Sequence, residues 1–291
     1  MGDPGRIDDA PDHLVLNKGP SDGGEGALDD TERWTHHRPA PQALPAPPQV
    51  DLWIASLDLS PSDRTEIELW LGAEERARAG RFLRPLPRER YMVGRAMLRW
   101  LLSAYLGLPP GEILIREEEG GKPRQLNLEG LEFNVSHCEE LLAIGVASCA
   151  LGVDLERVRE VAELDRLAED VLSPEESWLL KGPGDAAGGE GFYLAWTAKE
   201  ATLKGLGLGL SVEPRTVRLR PISGGFRADV PQGVEGGSQW WVSSFRLPAR
   251  HGHQGAVGAV ATPNCPPVLV LRSLALPRQD QGPGCSSPGD P

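Results

Sequence analysis

The sequence predicts a mixed α+β fold with a junction near Cys149–Leu151. Three observations lead there. Short segments alternate apolar and polar residues, as half-buried strands do. Arg88 to Leu106 instead repeats its apolar residues at helical spacing. A second set of strand-like and helix-like segments follows the junction, with no internal sequence repeat relating the two sets.

Val50–Leu57 alternates well enough for an opening strand. Ser62–Ala79 reads as a helix, started by Ser62 or by Ser60-Pro61. Arg88–Leu106 is the clearest helix. Tyr91, Leu98, Leu101, Leu102 and Tyr105 form its apolar stripe, Arg88, Arg95 and Arg99 line another side, and Gly107 with Pro109-Pro110 ends it. Short strands are expected at Ile113–Arg116, Leu131–Val135 and Leu141–Ala147. Gly152–Glu156 opens the second half, followed by helices near Val161–Val171, Pro174–Lys181 and Gly191–Lys204. A Gly-rich stretch, Gly182–Gly191, reads as a mobile insertion. Val217–Arg220, Phe226–Val230, Gln239–Phe245 and Ala256–Ala261 complete a sheet.

Both ends differ from the middle. Residues 1–48 hold nine acidic and four basic side chains, Gly23-Gly24 and a Pro-rich run from Pro39 to Pro48. Such a segment buries too little apolar surface to offset the entropy of ordering, and disorder is expected, as it is for residues 277–291. The folded part is then 49–276, divided into halves 49–149 and 150–276. Of the net charge of −12, the middle carries −6, from 31 acidic and 25 basic side chains. That modest acidic balance argues against nucleic acid as the main partner, since phosphate backbones call for a basic stripe. No apolar run approaches the roughly 18 residues of a membrane span. Met1–Asn17 lacks the apolar core of a signal peptide. The four cysteines show no ligand spacing and read as reduced thiols, so a cytoplasmic protein is expected.

Two stretches carry the chemistry. In Gly152-Val153-Asp154-Leu155-Glu156 the strand alternation turns Asp154 and Glu156 to one face. In Trp196–Lys204, helical spacing puts Trp196, Glu200 and Lys204 in one row. Three carboxylates and a lysine could converge on one point, a donor set suited to a hard divalent cation shared with a phosphate. The bland readings are a strand end with two solvated carboxylates, a surface Glu200–Lys204 pair worth a few tenths of a kcal/mol, and a core Trp196. The glycines after Lys204 make no GxGxxG pattern, and no GxxxxGK[ST] loop exists. A phosphate would therefore need side chains, for which Gly120-Gly121-Lys122-Pro123 and Phe133-Asn134-Val135-Ser136-His137 are candidates. In the second, a strand delivers a Ser-His pair at its end, and both side chains can donate to phosphate oxygens. No GxSxG elbow surrounds Ser136, and Cys138 faces away from His137 on an extended chain, so neither makes a nucleophile pair.

Taken in order, the Gly121–Pro123, Phe133–His137, Gly152–Glu156 and Trp196–Leu210 motifs resemble the signature set of 4′-phosphopantetheinyl transferases, most of all the monomeric Sfp-like group. Arg81-Phe82 and Arg90-Tyr91-x-x-Gly94-Arg95-x-x-Leu98-Arg99 fit that group's first-half pattern. The resemblance spans roughly residues 50–245. It implies two similar α+β halves in one chain with coenzyme A in the cleft between them. By the same resemblance Asp154, Glu156 and Glu200 hold Mg²⁺, and Lys122 meets the 3′-phosphate. Ser136 and His137 meet the phosphates, with Arg78, Arg90 and Arg95 as further coenzyme contacts. Tyr91 stands where some relatives have a small hydroxyl residue, and Cys138 where many have Ser. The implied reaction transfers 4′-phosphopantetheine to a serine of an apo acyl or peptidyl carrier protein in fatty-acid, polyketide or non-ribosomal peptide synthesis. Glu200, or a metal-bound water it holds, is its expected base, and Lys204 would donate toward the leaving phosphate. Carrier domains of such reactions present an acidic helix, for which Arg88, Arg95 and Arg99 are an expected docking surface. The competing readings are a non-catalytic coenzyme-A-binding protein and a metal-dependent nuclease.

Overall fold

The computed structural model describes residues 40–59, 64, 67–117, 122–160, 164–181, 189–234, 239–249 and 255–274. The expectations for residues 1–39 and 277–291, for 182–188 and for a helix start at Ser60–Ser62 lie outside the described residues. Two of these expectations are corrected at their inner ends. In the stretch 40–48, expected to be disordered, the Gln42 N–H donates to the Ala104 carbonyl at 2.9 Å and Leu44 packs on the first core. Glu190 and Gly191, expected in a mobile insertion, already belong to a helix. In chain order the elements are β1 (Gln49–Ser56), α1 (Ala73–Ala79), α2 (Pro85–Leu106), β2 (Ile115–Glu117), β3 (Pro123–Gln125), β4 (Glu132–Cys138) and β5 (Leu141–Ala147). There follow β6 (Gly152–Arg157), α3 (Leu164–Val171), α4 (Glu190–Leu206), β7 (Arg218–Ile222), β8 (Gly225–Asp229), β9 (Gln239–Leu247), β10 (Ala256–Pro263) and β11 (Val268–Ser273).

The α+β architecture has two sheets, ordered β11-β1-β5-β4 and β6-β10-β9-β8-β7, with β2 and β3 as a separate pair. Each large sheet carries one long helix. α2 buries Val93, Met97, Trp100 and Leu101 against Ala55, Phe133, Leu142, Ile144 and Val146. α4 buries Ala195, Ala198, Ala201 and Leu203 against Trp240, Val242, Ala259 and Ala261. The residues that alternate with these form a third core: Val50, Leu52, Ala143 and Ala147 meet Val153, Leu155, Ala256 and Val260. Strand alternation therefore supplies both faces of each sheet, and the layers run helix, sheet, sheet, helix.

Several boundaries differ from expectation, for identifiable reasons. α2 starts at Pro85 rather than Arg88 because Pro85 and Pro87 occupy its first turn, where a missing N–H costs nothing. It ends at Gly107, whose φ of 67° is left-handed. The expected Ser62–Ala79 helix is broken: a 3-10 turn at Glu68–Trp70 precedes extended Leu71 and Gly72, and α1 begins afresh. The break is fixed by the Glu75 carboxylate, which accepts from the Gly72 N–H at 2.8 Å. β4 runs on to Cys138, paired with β5 along its whole length, so Ser136 and His137 lie within a strand rather than at its end. Pro174–Lys181 is helical but of the 3-10 kind. The strand β11 was not expected. It runs parallel to β1 and returns the chain to the first sheet, a pairing with no local trace in the sequence.

Candidate active site

The seam between the sheets brings the chemical side chains together. The Asn134 side-chain oxygen on β4 accepts from the Val153 N–H on β6 at 2.9 Å, joining the two halves. Gly152 lets β6 lie directly on α4: a Cβ there would sit 1.8 Å from the Ala201 carbonyl oxygen and 2.4 Å from the Gly205 nitrogen. With Val153 and Leu155 directed into the inter-sheet core, Asp154 and Glu156 face α4.

Lys204 on α4 donates to Asp154 Oδ1 at 2.6 Å and to Ser136 Oγ at 3.1 Å, while Ser136 donates to the same Asp154 oxygen at 3.0 Å. Asp154 is 4% and Glu200 8% exposed. Asp154 Oδ2 and Glu200 Oε1 are buried without a hydrogen-bond partner. Burial, then the charge of Asp154, pushes the Glu200 carboxyl above its ordinary pKa of 4.5, against the pull of Lys204. Burial and Asp154 raise Glu156 likewise, opposed by a hydrogen bond from Trp196 and by the charge of Lys204. Trp196 is therefore half-buried and bonded to a carboxylate, not merely core. The i,i+4 pairing of Glu200 with Lys204 is corrected too, since Lys204 turns to Asp154.

The three expected metal ligands come to one seam without being gathered into one group. Among the described residues no three His, Cys, Asp or Glu side chains are grouped closely enough to hold a metal ion. Asp154, Glu156 and Glu200 feel one another's charge, but the Lys204 ammonium takes a cation's place on Asp154.

His137 on β4 is exposed. The atoms crowded about its ring, then the positive charges of Lys204 and Arg90, hold its pKa below the ordinary 6.5. Cys138 is buried on the opposite face, and burial, followed by the charge of Glu156, pushes its thiol up to about 12. It is no nucleophile at neutral pH. Lys122 donates to the carbonyls of Leu151 at 3.2 Å and Gly205 at 3.1 Å, beside the end of α4. Its neighbours Gly120 and Gly121 lie outside the described residues.

The remaining arginines separate into two groups. Arg78 pairs with Glu117 and lies over the Tyr91 ring, 5.4 Å from its centroid. With Arg81 and Phe82 these two line an open cleft of about 480 Å³. Tyr91 packs against Phe82, and its neighbour Arg90 is the residue whose charge reaches His137, so α2 links this cleft to the Asp154–Lys204 cluster. Arg95 and Arg99 instead turn inward to Glu75, at 2.7 and 2.6 Å. The expected docking surface of Arg88, Arg95 and Arg99 therefore does not form; only Arg88 is exposed. Arg95, expected as a coenzyme contact, is occupied by Glu75.

The sequence reading missed one charged pair beside the site. Lys199, 0% exposed, donates to Glu176 Oε2 at 2.7 Å and to the Val171 carbonyl at 2.9 Å. Glu176 also accepts from the Ser173 and Leu219 N–H groups. The available signal was a lysine on the helix face that carries Ala195, Ala198 and Thr202, where a buried charge demands a partner.

The 4′-phosphopantetheinyl transferase superfamily model matches residues 150–258, and the model for the N-terminal part of 4′-phosphopantetheinyl transferases matches residues 60–149. The 4′-phosphopantetheinyl transferase HetI of Nostoc sp. is 36% identical over 190 residues, covering 61% of this chain and 80% of that protein. A 4′-phosphopantetheinyl transferase of Bacillus subtilis is 28% identical over 179 residues, covering 61% and 79%. Sfp of the same species is 27% identical over 163 residues, covering 55% and 72%. The matched stretches run across β4, β6 and α4, the three elements that meet at the seam. The chain belongs to the 4′-phosphopantetheinyl transferase superfamily.

Proposed function

We propose that the seam between β4, β6 and α4 is where this enzyme moves 4′-phosphopantetheine from coenzyme A to a carrier-protein serine. The observation that carries this reading is a buried carboxylate cluster left unfinished. Asp154 Oδ2 and Glu200 Oε1 have no partner, while Lys204 and Ser136 already crowd the other Asp154 oxygen. Buried polar atoms are normally satisfied, and an orphaned pair of carboxylate oxygens suits a hard cation. Asp154, Glu156 and Glu200 would hold Mg²⁺. When bound there, the ion neutralises charge growing on the pyrophosphate.

The carrier serine Oγ attacks the β-phosphorus of coenzyme A; the new O–P bond forms as the bond to 3′,5′-ADP breaks. Glu200 takes the serine proton. Lys204 holds Asp154 and donates toward the leaving phosphate. His137, neutral at physiological pH, donates to a pyrophosphate oxygen with Arg90 alongside, and Ser136 joins it by turning its hydroxyl from Asp154. The cleft of Arg78, Arg81, Phe82 and Glu117 receives the nucleotide end, with the Arg81 and Arg78 guanidinium groups as donors to its phosphate. Lys122, seated on two carbonyls, would swing to that phosphate only by leaving them. Both walls come from one chain, which favours a monomer. Among the described residues no helix is long and apolar enough to cross a membrane.

The test is to incubate the protein with coenzyme A, Mg²⁺ and a panel of apo acyl and peptidyl carriers and weigh the carriers by mass spectrometry. A phosphopantetheine-sized gain on the carrier serine is expected. Coenzyme A binding without any gain would leave a binding protein rather than an enzyme.

A further inference from the structure

The cleft lined by Arg78, Arg81, Phe82 and Glu117 is built on weak local structure. α1 has only seven residues, too few to be stable alone, and Arg81 and Phe82 lie just beyond its end. The opposite wall, Glu117, ends a three-residue strand. Something must hold both in place.

That something is Glu75, 5% exposed. Its Oε1 accepts from Arg95 Nε at 2.7 Å; its Oε2 accepts from Arg99 Nε at 2.6 Å and from the Gly72 N–H at 2.8 Å. Arg99, also 5% exposed, passes the connection on by donating to the Pro110 carbonyl at 2.8 Å and the Ile113 carbonyl at 2.9 Å. Those carbonyls flank the turn that leads directly into β2 and Glu117. Glu117 pairs with Arg78 on α1, and the circuit closes. The links at Glu75 and Arg99 are buried, and the Arg78–Glu117 pair that closes the circuit is about half exposed. Burial alone would raise the Glu75 carboxyl; the two arginines and the Gly72 N–H outweigh it and hold its pKa below the ordinary 4.5, so it stays ionised. Space is also reserved: a Cβ on Gly72 would come within 2.7 Å of Arg99 Nη2, whose position its three bonds fix.

We infer that Glu75 is a positioning residue for coenzyme binding, clamping through Arg95 and Arg99 the two walls of the Arg78–Arg81–Glu117 cleft in the spacing that receives the nucleotide end. This rests on the reading of that cleft as the coenzyme's site. Glu75 touches no substrate; it acts through α1 and β2.

Steady-state kinetics on the full chain with coenzyme A and an accepted carrier test it. Glu75→Gln is expected to raise KM for coenzyme A about tenfold, leaving KM for the carrier, and kcat at saturating coenzyme A, near the parent values. A lower melting temperature with an unchanged KM for coenzyme A, or equal losses for both substrates, would overturn the inference. If Glu75→Gln does not fold, Gly72→Ala gives the same reading by displacing Arg99 and is expected to raise KM for coenzyme A several-fold; no change overturns it. Arg81→Ala separates the two levels. An unchanged KM for coenzyme A there removes the cleft assignment itself. A raised value there beside an unchanged one in Glu75→Gln leaves the cleft in place and removes only the clamp.

Discussion

Two buried carboxylate clusters, one in each half, are finished to different degrees. Around Glu75 both oxygens are engaged, by Arg95, Arg99 and the Gly72 N–H. Around Asp154 and Glu200 one oxygen on each residue has no partner among the described residues, and the Lys204 ammonium serves Asp154. Lys199–Glu176, one residue from Glu200 on α4, belongs with the first kind, since both its members are occupied. A satisfied cluster fixes elements relative to one another. An unsatisfied one costs folding free energy, and in a native protein such an exception calls for an explanation, which the proposed function supplies as a bound cation.

The largest expected effect is on chemistry at the unfinished cluster. Glu200→Gln should lower kcat by about 10²–10⁴ with the fold intact, measured as holo-carrier formed per minute by mass spectrometry. A variant with near-parental turnover removes Glu200 as the base. Next comes the finished pair beside it. Lys199→Met leaves the Glu176 carboxylate buried without its ammonium and should cost about 3–5 kcal/mol in urea unfolding, and Glu176→Gln in the same chain should return part of that. A single variant as stable as the parent would break the distinction between the two residues.

The smallest effect is on pH dependence. Glu75 has a depressed folded-state pKa, so its contribution is present above about pH 4.5 and lost as pH falls through the folded value. Acid titration of stability should therefore be shallower below pH 4.5 in Glu75→Gln than in the parent. Glu200 has the opposite sign. Its raised pKa makes stability fall as pH rises above 4.5, so in chelator Glu200→Gln should gain stability at neutral pH but not in acid. Parallel curves for the two variants would contradict the assigned shifts.

The helices α2 and α4 and most strands were legible because each buries a face whose period the sequence repeats. The Asp154–Glu156 face and the Lys204 row were legible for the same reason. Other features depended on partners distant in sequence. β11 needs β1, some 220 residues away, to become a strand. Arg95 and Arg99 looked like a basic surface because nothing near them in sequence announces that Glu75 faces them from another helix. Lys204 was read against Glu200, four residues back, whereas Asp154 offers the shorter contact across the seam. Periodicity reports which face a residue occupies, and only tertiary packing reports what meets it there.

Mn²⁺ binding in the presence of coenzyme A, followed by electron paramagnetic resonance, tests the central claim most directly. The unfinished cluster should bind the ion in the parent and in Glu75→Gln at saturating coenzyme A, and Asp154→Asn and Glu200→Gln should abolish or greatly weaken that binding. Undiminished Mn²⁺ binding in both Asp154→Asn and Glu200→Gln would contradict the account.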